Sequence, residues 1–429
     1  MGIENAIIRY KDYGRRMRLT ERHISMHKGN FINAVIGPRR AGKTSLMLLH
    51  KGAIGLPESN KVFISGEDID FEGIRVEDLD EIEKAVFRIY NPDKDKEIYM
   101  FIDEIQNFPS WGRWLRTLFD ENRYRLIISG STSELSTDNL PNELRGRAIN
   151  VLVLPFSFAE YCAFKGIEYQ KYMDPASSGY LLHSFQEFID FGGYPLVAAS
   201  DTSDSKNIVL RELYETVLQK DIIDKYSIRK STTMKAFMNS LLGSACRPVS
   251  PARLATWFSS NGTPLSPQTA LNYMAYAQSV FLIFLVSPYS RKPKERNTRP
   301  KLYVADSGLL AAVDAAFSKK LENQVFIETL RRGMRVSYYA GRNCEVDFVV
   351  ENNGVAEELL QVCYSIDSPE TYARETTALR KASEDLKCEK LRILTFNEQK
   401  RIEIGGKTIE VMPAWKWMLN DLRDGADTA

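Results

Sequence analysis

Short apolar runs recur along the first third of the chain, at Phe31–Ile36, Lys61–Ser65, Ile98–Ile102, Leu126–Ser129 and Ile149–Leu154. Each is rich in Ile, Val, Leu or Phe, as strands are. Val76–Tyr90 and Trp111–Asn122 carry a helical pattern between them, and Leu46–His50 begins another. Strands alternating with helices predict a parallel α/β sheet. After Pro155 the pattern changes. Residues 156–245 read as mostly helical, broken at Gly192-Gly193-Tyr194-Pro195. Leu254–Phe258 and Thr269–Ala277 are the clearest helical segments of the next stretch, and apolar Val280–Val286 follows. From about residue 320 mixed α/β patterning returns, with a helix near Leu321–Arg332 and strands at Arg335–Tyr339, Glu345–Val350, Leu359–Tyr364 and Leu391–Phe396. These shifts divide the chain into residues 1–155, 156–240, 241–315 and 316–429.

Composition narrows the class. With 44% hydrophobic and 26% charged residues the chain has the material for a buried core, which excludes a disordered or fibrous protein. Lys plus Arg number 57 against 56 Asp plus Glu, so any nucleic-acid contact must come from a local patch. Five scattered Cys without a C-x-x-C pair, and four His, give neither a zinc site nor a disulfide scaffold. The N-terminus has no basic start followed by an apolar stretch, and the longest apolar run, Val280–Val286, falls far short of the ~20 residues of a membrane span. A cytoplasmic protein is expected.

The candidate chemistry begins at Gly37-Pro38-Arg39-Arg40-Ala41-Gly42-Lys43-Thr44, which fits G-x-x-x-x-G-K-[ST] in full between a strand and a helix, with Ser45 following. Its glycines let the backbone curl so that N–H groups converge on phosphate oxygens, and the helix start adds a positive dipole end. Lys43 is expected to reach the β/γ-phosphates and Thr44 to hold Mg²⁺. About sixty residues on, the apolar strand Ile98–Ile102 ends in Asp103-Glu104. Asp103 is expected on the metal and Glu104 as the general base for the attacking water. The strand at 61–65 lies between the two motifs in sequence and leaves room for an extra strand between them in the sheet. Leu126–Ser129 runs into Gly130-Ser131-Thr132-Ser133, where a Ser or Thr hydroxyl, Ser131 first among them, is read as sensing the γ-phosphate. Arg147, in Arg145-Gly146-Arg147, is read as a stabiliser of transition-state charge, in cis or from a neighbouring subunit.

These motifs resemble the AAA+-related P-loop ATPases known as the archaeal-type ATPase family. The resemblance rests on Gly37–Thr44, Phe101-Ile102-Asp103-Glu104-Ile105-Gln106, Ser129-Gly130-Ser131, Leu144-Arg145-Gly146-Arg147 and Leu154-Pro155-Phe156-Ser157-Phe158-Ala159-Glu160, and it extends over nearly the whole chain. It implies an α/β P-loop NTPase core (AAA+-like, parallel sheet), then a helical lid-like segment, a winged helix over 241–315, and a small α/β domain similar to PD-(D/E)XK nucleases over 316–429. It also implies ATP and Mg²⁺ as cofactors; no base-reading motif favours ATP over GTP. Leu302-Tyr303-Val304-Ala305-Asp306-Ser307-Gly308-Leu309 resembles the family's junction motif. The nuclease chemistry needs two acids and a Glu-x-Lys. Here Glu322 and Asp347 are present, but the last element reads Gln361-Val362-Cys363. A thiol cannot replace an ammonium beside a phosphate, so the nuclease fold is expected without strand cleavage.

Ser266 and Pro267 suit the cap and first position of a recognition helix in that winged helix. Arg291, Lys292, Lys294, Arg296, Arg299 and Lys301 lie where a DNA-contacting wing belongs. Three readings follow: a motor or remodelling ATPase acting on DNA or protein, a nucleotide-gated switch with a protein partner, and an ATP-regulated nuclease. Homo-oligomerisation is compatible with each.

Overall fold

A computed structural model of the chain describes residues 2–14, 17, 19–130, 141–170, 173–290, 299–342 and 344–424. The chain divides into two compact units, residues 1–154 with 279–281, and residues 155–278 with 282–429.

The first unit is built on five parallel strands: β1 (Ile32–Ile36), β2 (Lys61–Ser65), β3 (Ile98–Asp103), β4 (Tyr124–Gly130) and β5 (Ala148–Leu152), in the order β2-β3-β4-β1-β5. The expected α/β class and all five expected strands are present. Every residue of β1 and β2 is buried, because a parallel sheet is covered on both faces, and that is why these strands read as unbroken apolar runs. Helices α1 (Gly2–Lys11), α2 (Lys43–Ala53), α3 (Leu79–Tyr90) and α4 (Trp111–Asp120) complete the unit. Val35, Phe63, Phe101 and Ile127 form its core with Leu46 and Met47 of α2. The extra strand between the two motifs is β4, which pairs with β1 on one side and β3 on the other. The strand at 61–65 lies at the sheet edge instead, so the sequence neighbour is not the spatial one. Helix α1 had no counterpart in the apolar pattern. Its Arg9 pairs with Asp68 at 2.7 Å and Asp70 at 2.6 Å, and Tyr10 packs its ring 5.9 Å from that of Phe63.

The second unit opens with helices α5 (Phe158–Lys165), α6 (Pro175–Phe191), α7 (Pro195–Ala198) and α8 (Ser203–Thr216), the last continuing as a π-helical stretch at Val217–Asp224. Three helices follow, α9 (Ser231–Gly243), α10 (Pro251–Ser260) and α11 (Pro267–Ser279), then the antiparallel pair β6 (Ile283–Val286) and β7 (Lys301–Val304). Ser266 caps α11 as expected, its Oγ accepting from Thr269 N at 3.0 Å. Beyond a 3₁₀ turn at Ser307–Val313 come α12 (Phe317–Arg331), β8 (Arg335–Gly341), β9 (Cys344–Asn352), β10 (Val355–Val362), α13 (Pro369–Leu386), β11 (Lys390–Thr395), β12 (Lys400–Ile404), β13 (Lys407–Pro413) and α14 (Ala414–Asp424). The six strands are ordered β12-β13-β11-β10-β9-β8. The β8-β9-β10 meander is antiparallel, whereas β10 and β11 run parallel with α13 as the crossover.

The break at Gly192-Gly193 has a specific cause. Gly192 has φ +79°, and a Cβ there would lie 1.5 Å from Asp306 Oδ1. Asp306 is held by the N–H of Gly193 at 2.7 Å and of Gly308 at 2.9 Å. Burial pushes its carboxyl up to about 7, against those two N–H groups. An unfolded Asp titrates near ~3.9. Between those values the native state holds the extra proton, so this group makes stability fall as pH rises from about 4 to about 7. Melting curves across that window should show a shallower fall for Asp306→Asn than for wild type. Parallel curves would mean that the group does not titrate there.

Candidate nucleotide site

The first motif forms a tight loop at the carboxyl end of β1. Gly37 (φ +144°), Arg40 (φ +63°) and Gly42 (φ +102°) turn the backbone back on itself. Pro38 and Ala41 are buried, Arg39 is half-buried and Arg40 is exposed. Helix α2 starts at Lys43 with no side-chain cap on Gly42 and no acid in its first turn. By contrast, Ser157, Asp174 and Thr202 cap α5, α6 and α8 with their own side chains. A helix start left without a cap offers its N–H groups and dipole to an anion. Lys43 is buried and folds over the loop, its Nζ donating to Gly37 O at 3.1 Å and Pro38 O at 3.2 Å. Thr44 and Ser45 stand beside it in the first turn.

Because β1, β4 and β3 are adjacent and parallel, their carboxyl ends bring the loop and the acid pair together. Thr44 Oγ1 donates to Asp103 Oδ2 at 2.9 Å. Ser129, at the end of β4, bridges the acids: its Oγ donates to Asp103 Oδ1 and accepts from Glu104 N at 3.1 Å. Burial pushes the Asp103 carboxyl above its ordinary value and the Glu104 charge adds to the push, while the Ser129 and Thr44 hydroxyls and the Lys43 ammonium pull it back. Glu104 adopts φ +49°, an uncommon conformation for a residue with a Cβ, which turns the chain off the strand. Gln106 Nε2 donates to Glu104 Oε2. The Thr44 hydroxyl and the Asp103 carboxylate are hard oxygen donors side by side, the chemistry that suits Mg²⁺. The uncapped helix start and Lys43 suit a phosphate chain.

Lys43, Thr44, Asp103 and Glu104 are thus brought together, with Ser45 adjacent. Ser131 lies outside the described residues. Arg147 lies at the opposite end of the sheet: its carbonyl accepts from Ile32 N at 2.8 Å, at the start of β1. Strand length puts that end roughly 15 Å from the loop. The cis role expected for Arg147 does not fit this placement. Of the six basic residues at 291–301, Arg291, Lys292, Lys294 and Arg296 fall outside the described residues and Arg299 is exposed. Lys301 has a side chain only 1% exposed and is committed to carboxylates, so it cannot contact a phosphate backbone.

Two participants escaped the sequence reading. Ser129 was legible only as a polar residue closing an apolar strand. Arg22 gave no signal, since it precedes every motif. Its guanidinium is buried and donates to Ala41 O at 3.0 Å and Leu154 O at 2.6 Å, fastening the loop to the end of the unit.

A family model described as an AAA domain matches residues 29–162, and a domain of unknown function matches 182–320. An uncharacterized protein of Methanocaldococcus jannaschii is 32% identical over 406 residues, which is 91% of this chain and 88% of that one. An uncharacterized protein of Haemophilus influenzae is 25% identical over 398 residues, covering 91% and 94% of the two chains. The walker-type ATPase of Pyrococcus abyssi aligns over 66% of this chain and 91% of its own, with 13% identity and a TM-score of 0.44. No described helix is long and apolar enough to cross a membrane. With an AAA domain around a complete phosphate loop, and a relative matched over most of both sequences, the chain belongs to the same family as the Methanocaldococcus jannaschii protein.

Proposed function

We propose that the chain binds Mg·ATP at this loop and hydrolyses the β–γ bond, coupling hydrolysis to conformational change. The contact between Thr44 and Asp103, with Glu104 one residue on, carries the reading. Lys43, once drawn off the Gly37 and Pro38 carbonyls, would hold the β/γ-phosphates. Thr44 and Asp103 would hold Mg²⁺, which neutralises phosphate charge when bound. Glu104 would accept the proton of the attacking water. Ser131 and, from a neighbouring copy, Arg147 would complete the phosphate environment.

The domain order proposed for the remainder is a helical segment over 156–240, a winged helix over 241–315 and a nuclease-like domain over 316–429. Three helices followed by an antiparallel pair support the winged helix, and the β8-β9-β10-α13-β11 order supports the last. DNA is then a candidate partner through α11 and the five remaining basic residues of the wing. The bond from Gln106 to Glu104 favours a second reading, a nucleotide-gated switch that holds its base aside until a protein partner engages.

Phosphate release from ATP by the full chain, with and without Mg²⁺ and with duplex DNA over a salt series, tests these readings. Steady Mg²⁺-dependent turnover is expected, and its absence would remove the hydrolase assignment. Stimulation that fades with salt would identify nucleic acid as the partner, whereas a flat response would favour the switch. In calorimetry, Lys43→Ala should weaken ATP binding by at least about 30-fold, since an anchored charge pair contributes about 2 kcal/mol or more.

A further inference from the structure

We propose that the acidic cluster of the C-terminal sheet carries its own cation: the Lys301 ammonium holds the place of a divalent metal, closing an ion-pair lock between β7, α12 and β9. This inference does not depend on the ATPase reading. The nuclease-like fold implies Mg²⁺ on Glu322, Asp347 and Gln361, and the residues do not fit it. Lys301 Nζ lies 2.9 Å from Glu322 Oε1, 2.8 Å from Glu345 Oε1 and 2.8 Å from Asp347 Oδ1. An ammonium has three N–H donors and no acceptor, so these three carboxylates satisfy it completely. The separations are those of charge-assisted hydrogen bonds, whereas Mg²⁺ takes its oxygens at about 2.0–2.1 Å.

Further bonds tie the cluster to its surroundings. Glu322 Oε1 also accepts from Tyr303 OH at 2.9 Å, and Asp347 Oδ2 accepts from Val362 N at 3.0 Å. The Gln361 carbonyl accepts from Asp347 N at 3.1 Å, and its amide donates to Glu375 Oε2 at 2.6 Å. Glu375 is paired in turn with Arg374. Among the described residues no group of three or more His, Cys, Asp or Glu side chains is arranged to hold a metal. Access is not the obstacle, because a cavity of about 1010 Å³ opens on Glu345, Asp347 and Gln361, and the Glu345 side chain is 42% exposed. Cys363 lines the same cavity; burial pushes its thiol up to about 12, so it adds no charge that could replace the ammonium. Burying an ammonium alone would be costly, and three partners offset that cost. They also hold Lys301 well above its ordinary value, so it stays charged.

Mn²⁺ titration of the nucleotide-free full chain, followed by electron paramagnetic resonance, tests the lock. The wild type is expected to bind no Mn²⁺ that is lost on Glu345→Gln. Lys301→Met, which keeps the stem and removes the charge, is expected to gain one Mn²⁺ site with a Kd on the order of 10⁻⁴ M, and a melting temperature that rises with Mn²⁺. A wild-type Mn²⁺ ion weakened by Glu345→Gln would overturn the proposal, as would a folded Lys301→Met protein that binds none. If Lys301→Met does not fold, the comparison of wild type with Glu345→Gln decides alone: equal Mn²⁺ binding supports the lock and unequal binding sinks it.

Discussion

Glu104→Gln is expected to slow phosphate release by about 10²- to 10³-fold, the usual contribution of a positioned general base, with nucleotide affinity near that of wild type. The amide matches the carboxylate in shape but has no basic oxygen to take the proton. The scaffold beneath it should persist, because the bond that fixes this residue runs from its backbone N–H to Ser129 Oγ and does not involve the side chain. Rate and binding therefore separate. Steady-state phosphate release should fall while a calorimetric titration with a non-hydrolysable analogue stays within a few-fold of wild type. Unchanged turnover would remove Glu104 from its role. A parallel loss of affinity would recast it as a binding residue.

Gly37→Ala should abolish measurable nucleotide binding and lower the stability of the first unit by about 3 kcal/mol or more, from backbone strain and overpacking together. The added methyl would lie 2.0 Å from Val153 O, on top of the φ of +144°. That neighbour is backbone rather than a movable side chain, and Val153 N itself donates to Ile36 O at 2.8 Å. Neither side can give way without parting β1 from the segment after β5. For a unit of this size the loss amounts to roughly 6–12 °C in melting temperature. A variant that melts with the wild type and still binds nucleotide would show that the loop tolerates a side chain at this bend.

The parts legible in advance were those whose signal is local. Strands covered on both faces, such as β1 and β2, announce themselves as apolar runs, and the loop is a contiguous string whose residue types are dictated by backbone geometry. Spatial order is not local. Nothing in Leu126–Ser129 says that it inserts between β1 and β3, and so Ser129 reads as a strand end and Ser131 as part of the polar tip beyond it. Arg147 sits near the motifs in sequence yet at the far end of the sheet, because β5 starts where β1 starts. Lys301 looked like one of six wing cations; only the fold reveals three carboxylates around it. Among the elements not foreseen, α13 buries Glu375, Thr376 and Ser383 alongside Ala378 and Leu379, so its inner face is too polar to show a period. Strand β12, Lys-Arg-Ile-Glu-Ile at the sheet edge, buries only Ile402. Its charges belong to a strand that must resist pairing with another chain.

The guanidinium of Arg22 bears on how the first unit can be cut out for study. A fragment trimmed to the boundary of the AAA match would begin at residue 29 and discard it. Two interior carbonyls, on Ala41 and Leu154, would then lose the partner they share, at a cost of about 1–3 kcal/mol each. The missing leader would also take with it the Arg9 ion pairs and the Tyr10 ring that cover β2. The shortest piece worth expressing therefore begins at the first helix.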